Sequence, residues 1–198
     1  MRKPLAILIT IVVAIALHPG SASGQRFGGQ FGGGAAFWLV YIDPGLEAGE
    51  SFNRDVGNVV GIGGRAFFQT GRFRLGGGAF GGSFTDAGLN SAGNEVDGGM
   101  SGGGFIAEYL IVQRNVELAV GGMAGGGVVT VEERISVAGD VEELRRRRES
   151  TFAGYPWVRL GYNLAPFVNA GLHLGYFIGT SGVGGFGAGI DITVGLIP

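Results

Sequence analysis

The 198-residue chain contains no Cys, only 6 Pro, 2 His and a single Lys, Lys3. Without Cys there can be no disulfide scaffold, thiolate nucleophile or Cys-ligated metal. Scarce Pro and the lack of a Gly-X-Y period exclude collagen. Charge is also thin, at 15% of residues, and 14 Lys and Arg against 16 Asp and Glu leave a net of −2. A nucleic-acid surface would need a basic excess. Disorder would need low hydrophobicity and high net charge, whereas 45% of residues here are hydrophobic. No apolar run reaches 18 residues, which excludes a transmembrane helix. What the chain has in abundance is Gly, 43 residues, roughly three times ordinary usage.

The N-terminus reads as an address. Met1-Arg2-Lys3 is a basic start, Leu5 to Leu17 an apolar run, and Ser21-Ala22-Ser23-Gly24 a small-residue cleavage site. This is the pattern of a secretory signal peptide. The apolar run is too short for an anchor, which needs about 20 residues. The organisation read from the sequence is therefore a signal peptide over 1–23, a short segment over 24–30 and one domain over 31–198. Removing Arg2 and Lys3 leaves 12 basic residues against 16 acidic ones.

Helical periodicity is nearly absent after residue 30, and Gly at this density would cost a helix about 1 kcal/mol per position. Period-2 runs predict strands over 31–42, 58–69, 73–84, 98–111, 116–131, 152–162, 167–178 and 184–196. Most are near the roughly 9–11 residues that cross a bilayer at a tilt. Residues 43–57, 85–97 and 132–151 are long polar connections, while 69–72, 113–115 and 163–166 are tight turns. Long loops thus fall at one end of the strand array and short turns at the other.

Thirteen of the 16 acidic residues lie in the three long connections, leaving Glu108, Glu117 and Asp191 in strands. The strand cores add only Arg65, Arg74 and Arg159. A soluble barrel carries charge on about 25–35% of its surface, so strands this bare must meet lipid. An open edge in hydrocarbon would strand unpaired backbone, so the sheet closes. The fold class is all-β: an eight-stranded antiparallel up-and-down transmembrane β-barrel after a cleaved signal peptide.

Alternation gives the faces unevenly. In 184–196, Phe186, Ala188, Ile190, Ile192 and Val194 oppose Gly185, Gly187, Gly189, Asp191 and Thr193. In 58–69, Val60, Ile62 and Phe68 oppose Gly61, Arg65 and Phe67. Apolar-out with small-and-polar-in is the transmembrane pattern. The stretches 31–42, 73–84 and 116–131 are apolar or Gly on both sides and yield no assignment. Parity turns Arg65, Asp191 and His173 inward, and Glu108 and Arg159 complete a candidate lumen cluster. Two Arg and two carboxylates at one level should pair, because an unpaired buried charge is costly. An interior plug that fixes register is the preferred role, and an ion path or gate the competing one.

Apparent catalytic motifs do not survive their context. Gly99-Met100-Ser101-Gly102-Gly103 fits a nucleophile elbow but has no strand-to-helix turn around it. GxGxxG occurs from Gly76 and from Gly182, and neither opens a helix. His173 is the only His after the signal peptide, which rules out a His-rich metal site. The run Glu142 to Glu149 could form a short helix with Glu142–Arg146 and Glu143–Arg147 at i, i+4, and its preferred reading is a solvated, self-neutralising loop. A sharper role for Arg145, Arg146, Arg147 and Arg148 is contact with anionic lipid head-group phosphate at the outer rim.

The signal peptide, eight strands, three long loops against short turns, and Gly/aromatic strands such as Gly76-Gly77-Gly78-Ala79-Phe80-Gly81-Gly82-Ser83-Phe84 carry a resemblance. The chain resembles the small eight-stranded outer-membrane barrels, the OmpA-like, OmpX-like and opacity-protein group. The likeness is architectural and spans nearly the whole of 31–198. One departure is the ending Gly195-Leu196-Ile197-Pro198, where such barrels end in an aromatic residue. The expectation is a non-enzymatic, cofactor-free protein of the bacterial outer membrane, structural or surface-contact in role, with a side-chain-filled lumen. Its expected partners are outer-membrane lipid, and lipopolysaccharide or surface ligands for the long loops, but no nucleic acid. The alternatives are a narrow channel or porin for small solutes and a secreted Gly-rich soluble or matrix protein.

Overall fold

A computed structural model describes residues 31–43, 58–85, 88–89, 94–137, 141–180 and 184–196. Eight long strands follow one another: β1 (Phe31–Ile42), β2 (Val59–Thr70), β3 (Phe73–Phe84), β5 (Glu95–Gln113), β6 (Val116–Val137), β7 (Val141–Ala165), β8 (Val168–Gly179) and β9 (Gly184–Leu196). A two-residue strand, β4 (Gly88–Leu89), pairs with β5 beyond the end of β3. All pairings are antiparallel between successive long strands, and β1 also pairs with β9. The sheet is therefore a closed up-and-down barrel, which leaves no unpaired edge along its wall.

Alternating residues and tight turns build this ring. Gly71, at φ +55°, opens the two-residue turn Gly71-Arg72, a conformation Gly adopts without a Cβ penalty. That turn fixes Thr70 opposite Phe73 and Gln69 opposite Arg74, and so sets the register of β2 on β3. Three strands, 31–42, 73–84 and 184–196, have the bounds the sequence predicts, and two others are shifted by one residue.

One expectation is corrected. The 132–151 connection, read as a long polar connection whose Glu142–Glu149 run could form a short helix, instead carries extensions of β6 and β7 that pair as far as Val137 opposite Val141. Glu132 lies opposite Arg146 across this hairpin, with Arg146 Nε 3.0 Å from Glu132 Oε1. Arg146 thus pairs across the strands rather than along a helix. Extending a ladder already formed by the barrel costs less than nucleating an isolated two-turn helix.

The wall sorts its residues sharply. Below the row of Ser83, Ser101, Thr130 and Ser150, no outward-facing strand side chain among the described residues is charged. Phe31, Phe68, Phe73, Tyr109, Tyr162 and Phe167 are exposed at the short-turn end, and Tyr41, Tyr176 and Phe186 near the other end. Phe31 stacks on Phe68 at 5.8 Å, and Tyr176 meets Phe186 edge-on at 5.3 Å. At about 3.4 Å per residue and a tilt of about 40°, a strand as long as β3 rises about 29 Å.

The core is the lumen itself, and it has two layers. Toward the long-loop end it is apolar, with Trp38, Phe80, Met100, Met123, Trp157 and Phe177 buried together. Toward the short-turn end it is polar. Inward glycines make room for the large groups: a Cβ on Gly63 would collide with the Trp38 indole.

Candidate functional site

The polar layer is built by single residues from six strands, each placed inward by the pleat. They are Arg65 on β2, Arg74 on β3, Glu108 on β5, Glu117 on β6, Arg159 on β7 and Asp191 on β9, all at most 4% exposed. Three guanidinium groups thus face three carboxylates in a volume closed to solvent.

Their contacts form a ring of alternating charge. Arg65 Nη1 donates to Glu108 Oε1 at 2.6 Å. Glu108 Oε2 lies 4.0 Å from Arg74 Nη1. Arg74 grips Glu117 with two bonds, of 2.9 and 3.1 Å. Glu117 Oε2 also accepts from Arg159 Nη1 at 3.2 Å. Arg159 in turn holds Asp191 through Nε and Nη2, at 2.7 and 2.6 Å. Asp191 Oδ1 closes the ring, 3.8 Å from Arg65 Nη2. Two bidentate pairs, the geometry of strong charge-assisted bonds, therefore alternate with looser links.

Neutral groups satisfy most of what remains. Trp157 Nε1 donates to Glu108 Oε1 at 2.8 Å, and Thr193 Oγ1 to Asp191 Oδ1 at 3.0 Å. Arg74 Nε donates to Gln69 Oε1 at 2.8 Å, and Arg159 Nη2 to Asn169 Oδ1 at 2.5 Å. Arg65 Nη2 and Glu108 Oε2 make no hydrogen bond and rest on the two longer ionic contacts. The Arg74 guanidinium also lies over the Phe67 ring, 4.9 Å from its centre. His173 sits above the ring of charges, its Nδ1 3.9 Å from Asp191 Oδ2 and its imidazole packed beside Trp38 and Tyr155.

The five candidate lumen residues, Arg65, Glu108, Arg159, His173 and Asp191, are thus all buried inside the barrel and lie in or against this network. Sequence reasoning left Arg74 and Glu117 out of it because it gave 73–84 and 116–131 no face. The signal lay in the tight turns. Gln69 shares the face of Arg65, and its cross-strand partner is Arg74. Gln113 likewise pairs with Glu117 across the next short turn. The arrangement is net neutral, with each carboxylate bound to arginine. Among the described residues, no three or more His, Asp or Glu side chains could hold a metal ion together.

Of the four rim candidates, two have described side chains. Arg146 and Arg148 are exposed on β7, while the side chains of Arg145 and Arg147 lie outside the described residues, as do the predicted signal peptide and residues 44–57.

No family model matches the chain, and no curated protein sequence matches it. Solved structures similar to it include Neisserial surface protein A, at 12% identity and a TM-score of 0.47, covering 84% of this chain and 97% of that one. The N-terminal β-barrel domain of Pseudomonas aeruginosa OprF is 13% identical with a TM-score of 0.44, over 82% of this chain and 96% of the other. Ail, the attachment invasion locus protein of Yersinia pestis, is 13% identical with a TM-score of 0.44, over 83% and 95%.

Proposed function

We propose that this chain is an integral outer-membrane β-barrel, exported by residues 1–23, whose role is structural or in cell-surface contact and whose lumen is closed. The observation that carries the reading is an inverted charge distribution. Within the uncharged band the six strand charges are buried inside, while the wall presents exposed Phe37, Ile62, Phe105, Val158, Ile190 and Ile192 to its surroundings. A water-facing wall would reverse this order. The aromatic rows at both ends of the band match the interfacial preference of Phe, Tyr and Trp in membrane barrels.

Closure of the lumen is supported by its two layers. A neutral, interlocked charge ring lies beneath an apolar layer, and neither offers a continuous polar path. The test is fractionation. Washing membranes with alkaline carbonate should leave the protein in the pellet, and unboiled samples should migrate differently from boiled ones. Release by carbonate without detergent, together with a single gel mobility, would overturn the reading.

A further inference from the structure

The outer wall is not uniform. Around β1, β2, β8 and β9 it is thick with Leu39, Tyr41, Ile62, Tyr176 and Ile190. At the corresponding height on β3, β5, β6 and β7 it is recessed into a groove of about 580 Å³ lined by Ala79, Ser101, Gly103, Gly126, Val128 and Ser150, among others. Among the described residues, a Cβ on Gly126 would meet nothing within 4 Å. The recess lies just within the uncharged band.

Among the described residues, one cation, Arg148, stands at its mouth. Buried Thr151 sets the parity of β7, so Ser150, Arg148 and Arg146 all point outward. Ser150 lines the groove, and Arg148 is the next outward residue above it, opposite Thr130. Arg146, one step higher, is held by Glu132 at 3.0 Å. Arg148 has no ion-pair partner among the described residues. The pleat therefore leaves Arg148 where the apolar wall ends.

We propose that this groove binds one acyl chain of an anionic phospholipid from the surrounding leaflet, with Arg148 taking its uncompensated phosphate charge. The inference rests on the membrane reading above and adds a specific site to it. Apolar surface and an arginine at the boundary are complementary to an anionic amphiphile, and arginine binds phosphate oxygens through its planar fork. In phosphatidylcholine the choline cation offsets the phosphate charge, so such a lipid gains the groove but less from Arg148.

The full chain, reconstituted into vesicles of phosphatidylcholine with one-part-in-five phosphatidylglycerol, provides the test. Lipid that remains bound after mild detergent release is counted by native mass spectrometry. The wild type should retain one phosphatidylglycerol in preference to phosphatidylcholine. Arg148→Gln should lower that preference about five-fold, the effect of one arginine near an anionic surface. Gly126→Leu should remove the adduct of either lipid by filling the groove. Arg114→Gln, at the opposite end, should change nothing. Both groove variants should keep heat-modifiable mobility, which separates loss of the site from loss of the fold. A barrel that inserts normally but retains lipid equally in the wild type, Arg148→Gln and Gly126→Leu overturns this site alone. Failure of the wild type to insert overturns the membrane reading and this inference with it.

Discussion

Arg159 is the most connected member of the charge ring, which makes Arg159→Met the sharpest perturbation of the lumen. The change keeps much of the side-chain length but removes four hydrogen bonds, two to Asp191, one to Glu117 and one to Asn169. Three buried carboxylates would then face two arginines. Glu117 would keep its bidentate partner Arg74, so the loss concentrates on Asp191, left with Thr193 at 3.0 Å, Arg65 at 3.8 Å and His173 at 3.9 Å. Breaking a buried pair by deleting one partner costs about 3–5 kcal/mol, because the survivor remains desolvated and uncompensated. Replacing both partners with apolar groups restores neutrality. Arg159→Met/Asp191→Leu should therefore be less destabilised than Arg159→Met alone, a coupling of at least about 2 kcal/mol in a double-mutant cycle. Urea titration in lipid vesicles provides the measurement. The only two Trp residues, Trp38 and Trp157, are both buried in the lumen and report its opening. A cost below about 1 kcal/mol for Arg159→Met, or additive effects in the double variant, would mean that the ring is hydrated and loosely held. The plug argument would then fail.

Three further expectations follow from the wall and the lumen. Ile192→Arg, at mid-band opposite Phe37, should cost about 2–4 kcal/mol in vesicles, whereas Thr70→Arg at the short-turn rim should cost about 0–1 kcal/mol. Equal costs in the same urea titration would remove the membrane-facing assignment of the wall. Gly→Ala should give opposite results at two sites: destabilisation of about 1–3 kcal/mol at Gly63, where the Cβ strikes Trp38, and a near-neutral change at Gly126. Matching midpoints for the two variants would contradict the packing described. Planar-bilayer recordings of the purified protein should show no discrete conductance steps. Reproducible steps that disappear on denaturation would replace the closed lumen with the channel reading.

Where the sequence is strongly two-faced, it predicts the structure closely. Residues 184–196 alternate without interruption, and both the bounds of β9 and the inward placement of Asp191 and Thr193 follow. In 73–84 the alternation is hidden, because Gly76, Gly77 and Gly78 place no side chain on either face. Only the pairing with Gln69 across the Gly71-Arg72 turn reveals that Arg74 is inside. The 132–151 segment misleads for a different reason. Above the apolar band nothing needs burying, so its charges carry no period, and continuation of β6 and β7 is decided by the ladder beneath them. Long-range pairing such as that of Arg65 with Glu108, 43 residues apart, was reachable only after closure had been argued.

The same glycines that obscure the pattern also explain why a charge ring should occupy the lumen. Gly76 to Gly78, Gly102 to Gly104 and Gly125 to Gly127 lie side by side across β3, β5 and β6, with Gly78 opposite Gly104 and Gly104 opposite Gly125. Strands this bare have little side-chain packing to choose one register over the next. A slip of one residue would, however, turn the inward face of a strand outward. For β5 it would move Glu108 into the outward-facing apolar row and leave Arg65 buried without its 2.6 Å partner. For β9 it would do the same to Asp191 and strip Arg159 of its bidentate contact. Each slip combines a charge exposed to hydrocarbon with a charge abandoned in the lumen, and each of those costs several kcal/mol. An apolar lumen filled with leucines would punish the slipped state far less, since leucine is welcome on either face of a membrane barrel. The few charges that the strands contain are thus the residues that distinguish inside from outside, and their scarcity on the wall is what makes them decisive.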